Sequence, residues 1–137
     1  MKSRGQAAIE YMTVFGIALV LSTPFILRAQ SSMMELRIGT QVVSLQNSLD
    51  RVESSVETVS AAGEPAQRTF FFEVPQITRN ARVVNNSIVY TVRTSSGETQ
   101  LIRTFETNVV GTVPETPGRH RMTVYARNGK THIEVLE

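Results

Sequence analysis

The feature that most constrains this chain is a run of seventeen uncharged, mostly apolar residues near its start. The run covers residues 11–27 and reads YMTVFGIALVLSTPFIL. As an α-helix it would be about 26 Å long at roughly 1.5 Å per residue, which is the short end of a membrane span. We therefore expect this part of the chain to enter a membrane, which leaves the rest to fold as a small domain.

Basic residues before the run predict its orientation. Lys2 and Arg4 precede the span, and fewer charges follow directly after it, so the N-terminus is expected in the cytoplasm and the remainder outside. A secretory signal would have a small-residue cleavage site on the far side of the apolar stretch. Ala29 is only a weak match there, and the helical pattern continues through it. We expect the apolar segment to be retained.

Beyond the span the pattern becomes amphipathic. Seven apolar residues are spaced alternately four and three apart, which predicts a helix with one apolar seam: Ile38, Val42, Leu45, Leu49, Val52, Val56 and Val59. The predicted helix covers residues 6–62, with an apolar part at 6–28 and an amphipathic part at 29–62. It should stop at Gly63, just before Pro65. Pro24 removes one backbone hydrogen bond inside it and permits a kink.

The remaining residues, 66–137, have the sequence pattern of a β-rich domain. Turn residues separate six predicted strands at residues 68–74, 81–84, 87–93, 100–110, 119–127 and 131–136. Together with the long helix they predict an α+β chain whose C-terminal head is an antiparallel, sandwich-like β-domain. The Phe70-Phe71-Phe72 triplet could be a binding stripe, but a strand packed between a helix and a sheet would be equally apolar, and we favour the second interpretation.

The strongest local signal in the head is Asn128-Gly129, because both central residues of a type I′ turn need positive φ. A two-residue loop there predicts three core-facing pairs: Met122 with Val135, Val124 with Ile133, and Ala126 with Thr131. It also predicts that the opposite face carries Arg121, Thr123, Glu134, Tyr125 and His132.

The same register bears on metal binding. His120 should point with Met122 and His132 with Tyr125, so the only two histidines face opposite ways. The chain also contains no cysteine. We expect no metal site and no cofactor.

No residue pattern in the sequence indicates catalysis. The serines lack a buried aspartate partner and a strand-to-helix elbow, so we expect no enzyme. Fourteen basic residues nearly balance twelve acidic ones, and the arginines alternate with acids, so nucleic-acid binding is not expected. Asn85 begins an Asn-x-Ser sequon in a predicted turn and is a candidate N-glycosylation site.

Residues 4–12, RGQAAIEYM, resemble the processing site of archaeal type IV pilin precursors with a class III signal peptide. The resemblance is specific over about the first thirty residues, and beyond them it is architectural. It implies that residues 1–5 are a leader, that a prepilin peptidase cuts between Gly5 and Gln6, and that Glu10 is the family's acid. Bacterial tight-adherence pilins share this pattern, although their short forms lack a β-head of this size.

The resemblance further implies a helical homo-oligomeric filament on the cell surface. We expect surface adhesion, although twitching, DNA uptake and virus reception use similar rods and remain open. The subunit precursor would be a single-pass protein of the cytoplasmic membrane with an extracellular C-terminus. An assembly ATPase and a membrane platform would be its partners. Two other hypotheses remain open: a monomeric, membrane-anchored binding module with an uncleaved N-terminus, and a small surface hydrolase.

Glu10 poses a physical question, because a carboxylate in hydrocarbon costs several kcal/mol unless a partner offsets it. Cleavage after Gly5 would create such a partner, the new α-amine on Gln6 of a neighbouring subunit. Glu10 and Gln6 would then set the assembly register between helices. Alternatively, the Glu10 side chain only reaches back to the lipid headgroups.

Overall fold

The computed structural model describes residues 3–136. A single helix, α1 (Ser3–Ala62), is followed by seven strands: β1 (Gln67–Val74), β2 (Thr78–Val84), β3 (Ser87–Thr94), β4 (Gly97–Thr104), β5 (Val109–Gly111), β6 (Gly118–Arg127) and β7 (Lys130–Leu136). The prediction of an α+β chain, with a long N-terminal helix and a sheet-built head, is confirmed.

The chain divides into two compact units, Met1–Arg37 and Ile38–Glu137. The boundary lies inside α1. The second unit, which we call the head, therefore contains the C-terminal part of α1 as well as all seven strands.

The strands of the head form two sheets. Sheet A has the order β1-β6-β7-β5, and sheet B has the order β2-β3-β4. Phe72 in β1 stacks on Tyr90 in β3, with ring centroids 5.7 Å apart, so the two sheets share one core. The buried Tyr90 hydroxyl donates a hydrogen bond of 2.9 Å to the carbonyl of Pro114. Burial, assisted by the negative charge of Glu115, raises the pKa of Tyr90, so the phenol stays protonated as a donor.

The C-terminal part of α1 completes this core. Five side chains of the predicted seam are buried: Leu45, Leu49, Val52, Val56 and Val59. The Ser48 hydroxyl accepts a hydrogen bond of 3.3 Å from the Glu73 amide in β1, while Arg103 in β4 contacts Asp50 and Glu53. The helix thus contacts β1 and β4, which are edge strands of the two sheets, and its Ser48 hydroxyl pairs one backbone amide of β1.

The end of α1 agrees with the prediction. Gly63 has a φ of 67°, and its amide donates a 3.0 Å hydrogen bond to the carbonyl of Val59. A left-handed glycine directly after the last helical residue is a common helix terminus, because glycine adopts positive φ without steric cost.

The hairpin at Asn128-Gly129 is also confirmed. Both residues have positive φ, 53° and 69°. The register matches all three predicted core-facing pairs: Met122 with Val135, Val124 with Ile133, and Ala126 with Thr131. Thr123 lies on the opposite face as expected, yet it is buried, and its hydroxyl is 2.8 Å from that of Thr69 on β1.

One predicted strand is wrong. Residues 100–110 were expected to form a single strand, but they contain most of β4 and the start of the separate β5. Between them Phe105 turns into the core, and its amide donates a 2.8 Å hydrogen bond to the carbonyl of Asn86. The chain then passes from sheet B to sheet A. There β5 pairs with β7 in parallel, so sheet A is mixed rather than wholly antiparallel.

Replacing Arg103 with methionine is expected to lower the free energy of unfolding by about 1 kcal/mol, because a partly exposed Arg with two carboxylate partners contributes modestly. Denaturant unfolding of the full chain in detergent would measure the change. Most of the loss should vanish in high salt, which screens exposed charges. Arg93→Met is the control, because Arg93 is exposed and forms no ion pair within residues 3–136. An equal loss in high salt would instead indicate lost packing.

Candidate membrane-spanning and assembly segment

The first unit consists of α1 residues whose apolar side chains contact no other part of that unit. Every side chain described between residues 5 and 37 is exposed. Phe15 is 67% exposed and Phe25 is 76% exposed. By length and composition, the helix over Gly5–Ala62 is apolar enough near the N-terminus to cross a membrane, and none of its most apolar window is buried.

Apolar surface in water costs roughly 25 cal/mol per Å². A helix that is apolar all round therefore needs lipid or other helices around it. This first unit offers neither, so the surroundings of its helix must be supplied from outside the unit.

The structure brings Gln6 and Glu10 together at the start of this helix. The Gln6 side-chain amide donates to Glu10 Oε1 over 3.4 Å, one helical turn apart. No hydrogen bond to Glu10 Oε2 is found within the part of the chain that the structure describes. Within the described residues, Glu10 Oε2 can therefore accept a hydrogen bond from a further donor.

Gly5 lies directly before Gln6, so the bond that the resemblance marks for cleavage is inside the first turns of α1. A Cβ built on Gly5 would meet nothing within 4 Å. Helix ends fray easily, because their first amides lack intrahelical acceptors. A peptidase could therefore reach the Gly5–Gln6 bond by opening the end of the helix rather than its middle.

The predicted kink site, Pro24, lies within α1, and the helix continues through it. Because proline has no amide hydrogen, the carbonyl of Val20 lacks its usual donor. The hydroxyls of the two preceding residues donate hydrogen bonds to backbone carbonyls: Ser22 to Ala18 O at 2.7 Å and Thr23 to Leu19 O at 2.9 Å. Such bonds slightly weaken and often bend helices, so this is a physically suitable place for a kink, which stays a prediction.

Asn85 lies in the head, in the two-residue turn between β2 and β3. Asn85 and Asn86 have φ values of 47° and 60°, and Val84 pairs with Ser87 across the turn. The Asn85 side chain is exposed. Its glycosylation stays a prediction.

The histidines lie apart in sheet A. The Nε2 atom of His120 is 2.8 Å from the carbonyl of Thr116, so this nitrogen carries the proton. His132 stacks on Tyr125 with ring centroids 5.2 Å apart. No group of three or more His, Asp or Glu side chains that could hold a metal occurs among the residues described.

The phenylalanine triplet is divided between the two faces of β1. Phe72 is fully buried and Phe70 packs against the core, whereas Phe71 is 46% exposed on the other side. The guanidinium of Arg119 lies 4.0 Å from the Phe71 ring centroid. Strand alternation alone could have identified Phe71 as the outward member, but not its contact with a strand nearly fifty residues later.

We compared the chain with models of known families, with curated proteins and with solved structures, and none of the three comparisons gives a match. The functional inference therefore rests on the residues and their geometry. Two observations are central: an apolar helix without a partner, and a carboxylate near its start.

Proposed function

We propose that this chain is a pilin-like structural subunit of an extracellular filament. The observation that carries the proposal is the exposed apolar helix of the first unit, with Glu10 near its start and a folded head farther along the chain. In the precursor this helix spans the cytoplasmic membrane and the head lies outside. Cleavage after Gly5 releases it for polymerisation.

Lipid and a bundle of similar helices are both apolar surroundings for α1. The free energy of moving the helix from lipid into the bundle therefore depends on packing and on polar contacts. The residues of α1 from 11 to 27 carry no charge, and they offer only hydroxyls as polar side-chain groups. The Glu10 carboxylate is therefore the group best able to select one position of a helix against its neighbour.

Cleavage would supply the complementary charge. The α-amine of Gln6 in one subunit becomes a cation. It can donate a charge-assisted hydrogen bond to the Glu10 carboxylate of the next subunit. A carboxylate paired in this way has its desolvation cost offset, whereas an unpaired one would not. Glu10 thus acts as a register device between helices.

Identical subunits stacked with a constant offset form an open helical polymer, with the helices inside and the heads outside. The expected partners are a prepilin peptidase, an assembly ATPase and a membrane platform. Surface adhesion is the role that we propose for the filament, and motility and DNA uptake are the alternatives that similar filaments serve.

The native protein is expected to begin at Gln6, with residues 1–5 removed. Mass spectrometry of its N-terminus would measure this directly. A Gly5→Val variant should keep the leader, because the resemblance places a glycine before the cut bond. Gly39→Val, at an open position of the same helix, should still be cleaved. A native protein that starts at Met1 and remains a monomer in detergent would instead support the anchored binding module.

A further inference from the structure

The outer face of sheet A carries an excess of positive charge. Phe72, Met122 and Ile133 are buried, so the alternate residues of their strands lie on the outside of the sheet. Six of these outer residues are charged, four cations and two carboxylates: Arg119, Arg121, Arg127, Lys130, Glu73 and Glu134. None of the six forms an ion pair within residues 3–136.

The cations are concentrated around one aromatic ring and one hairpin. The guanidinium carbons of Arg119 and Arg121 lie 4.0 and 5.9 Å from the centroid of the half-exposed Phe71 ring. Arg127 and Lys130 face each other directly across β6 and β7, and like charges in such a pair repel. We call Phe71 and these four cations the basic face. Glu73 lies directly across from Arg119, so the unbalanced positive charge belongs mainly to Arg121, Arg127 and Lys130, and an anionic partner would offset it.

A groove elsewhere on the head has the opposite charge. It lies between the C-terminal part of α1 and the segment after β4, and we call Glu53, Glu57, Phe105 and Glu106 the acidic groove. No lysine or arginine is among the described residues that line it. Glu53 is 3.5 Å from Arg103, but Glu57 and Glu106 are exposed and have no ion pair among the described residues.

We infer that in the proposed filament the basic face of one subunit docks on the acidic groove of a neighbouring copy. This inference rests on the proposed function. Charge complementarity selects the occupant, because Arg119 and Arg121 present planar guanidinium groups that pair well with carboxylates such as Glu57 and Glu106. The two surfaces share no residue, so the contact is head-to-tail and can repeat from subunit to subunit along the proposed helical polymer.

Exposed ion pairs are individually weak, so this contact would not hold isolated heads together. Inside the polymer the helices keep neighbouring heads at high effective concentration, and a weak contact then becomes populated. The helices would supply the cohesion, and the head contact would fix the angle between successive subunits.

Charge exchange in the full chain tests the contact. The basic-face variant carries Arg119→Glu and Arg121→Glu, and the groove variant carries Glu57→Lys and Glu106→Lys. All four side chains are exposed, so the groove variant should keep the unfolding midpoint of the original chain, whereas the basic-face variant should lose a little stability, because Arg119 packs on Phe71 and faces Glu73. The co-expression described below separates that loss from a lost docking contact. The matched control carries Arg82→Glu and Arg93→Glu, two exposed arginines of sheet B. Filaments sheared from expressing cells are then quantified.

Each exchange variant alone should give roughly tenfold fewer filaments than the control, because every head contact becomes repulsive. Co-expression of the two variants should restore the yield. The restored filaments should contain them in equal amounts by mass spectrometry, because each variant's altered surface then meets its complement. A variant with all four substitutions should also assemble with itself.

Two results would overturn the docking inference while leaving the proposed function intact. One is normal filament yield from either exchange variant. The other is reduced yield that co-expression fails to restore. If the basic-face variant assembles normally but its filaments lose the binding to heparin shown by the original filaments, the face serves an acidic polymer instead. Absence of filaments from the unmodified chain would contradict the proposed function itself, and the docking inference with it.

Discussion

Glu10→Ala should reduce filament yield by at least roughly a hundredfold. Removal of the carboxylate leaves the new α-amine of Gln6 without its partner in an apolar bundle, and breaking a buried ion pair typically costs about 3–5 kcal/mol. Each 1.4 kcal/mol is a factor of ten in an equilibrium constant. The measurement is the amount of sheared filament, with the membrane-bound precursor quantified in parallel.

Glu35→Ala is the matched control, since Glu35 is an exposed acid of the same helix but lies beyond the uncharged run. It should assemble normally. The Glu10→Ala precursor should accumulate in the membrane, because removal of a carboxylate lowers the cost of inserting the helix. Normal filament yield from Glu10→Ala would contradict the registering role. Loss of the precursor from the membrane would show that Glu10 acts before assembly.

Gly111→Ala should destabilise the head by about 4 kcal/mol, which is at the upper end for a single substitution. Gly111 has a φ of 139°, and a Cβ built there would overlap the carbonyl oxygen of Ile133 in β7. The substitution would force β5 away from β7. It would thereby strain the flanking hydrogen bonds, Thr112 N to Ile133 O at 3.1 Å and Thr131 N to Asn108 O at 3.0 Å.

The comparison with Gly129→Ala separates steric overlap from backbone conformation. Gly129 also has positive φ, but a Cβ there meets nothing within 4 Å. Its replacement should cost only about 1–2 kcal/mol, the penalty for a left-handed alanine. Denaturant unfolding of each full-length variant in detergent, followed by circular dichroism, provides both values. Equal losses would refute the overlap argument.

The sequence was most informative where structure is decided locally. Asn128-Gly129 fixes a hairpin because two adjacent residues must both accept positive φ, and the register of β6 and β7 follows from that turn alone. Gly63 ends the helix for a similar local reason. Burial of the apolar seam could be predicted, because Leu45 and Leu49 belong to a repeat whose residues lie on one side only in a helix.

Non-local pairing could not be predicted in the same way. Nothing in residues 100–110 indicates that β4 and β5 belong to different sheets, since no proline or glycine separates them in that stretch. The break depends on Asn86, whose carbonyl and side-chain oxygens accept from the amides of Phe105 and Val109 at 2.8 and 3.3 Å. Such a contact exists only after the chain has folded.

In the candidate assembly site, too, the local contact could be predicted from the sequence and the non-local contact could not. Gln6 and Glu10 are one turn apart in sequence, so their proximity follows directly from a helix. The partner proposed for the remaining Glu10 oxygen belongs to another molecule, and no single sequence specifies the position of that molecule. The basic face was also missed, because its members come from β1, β6 and β7, and only the folded sheet gathers Phe71 with Arg119 and Arg121.

The architecture of sheet A also constrains biogenesis. Its edge strand β1 pairs with β6, and the core contains both Leu45 and Ile133, so the domain draws on early and late parts of the chain. Nascent polypeptide stalled before residue 118 would leave β1 unpaired, an open edge of the kind that aggregates. In the proposed topology, β1 can complete its pairing only after the residues of β6 have also crossed the membrane.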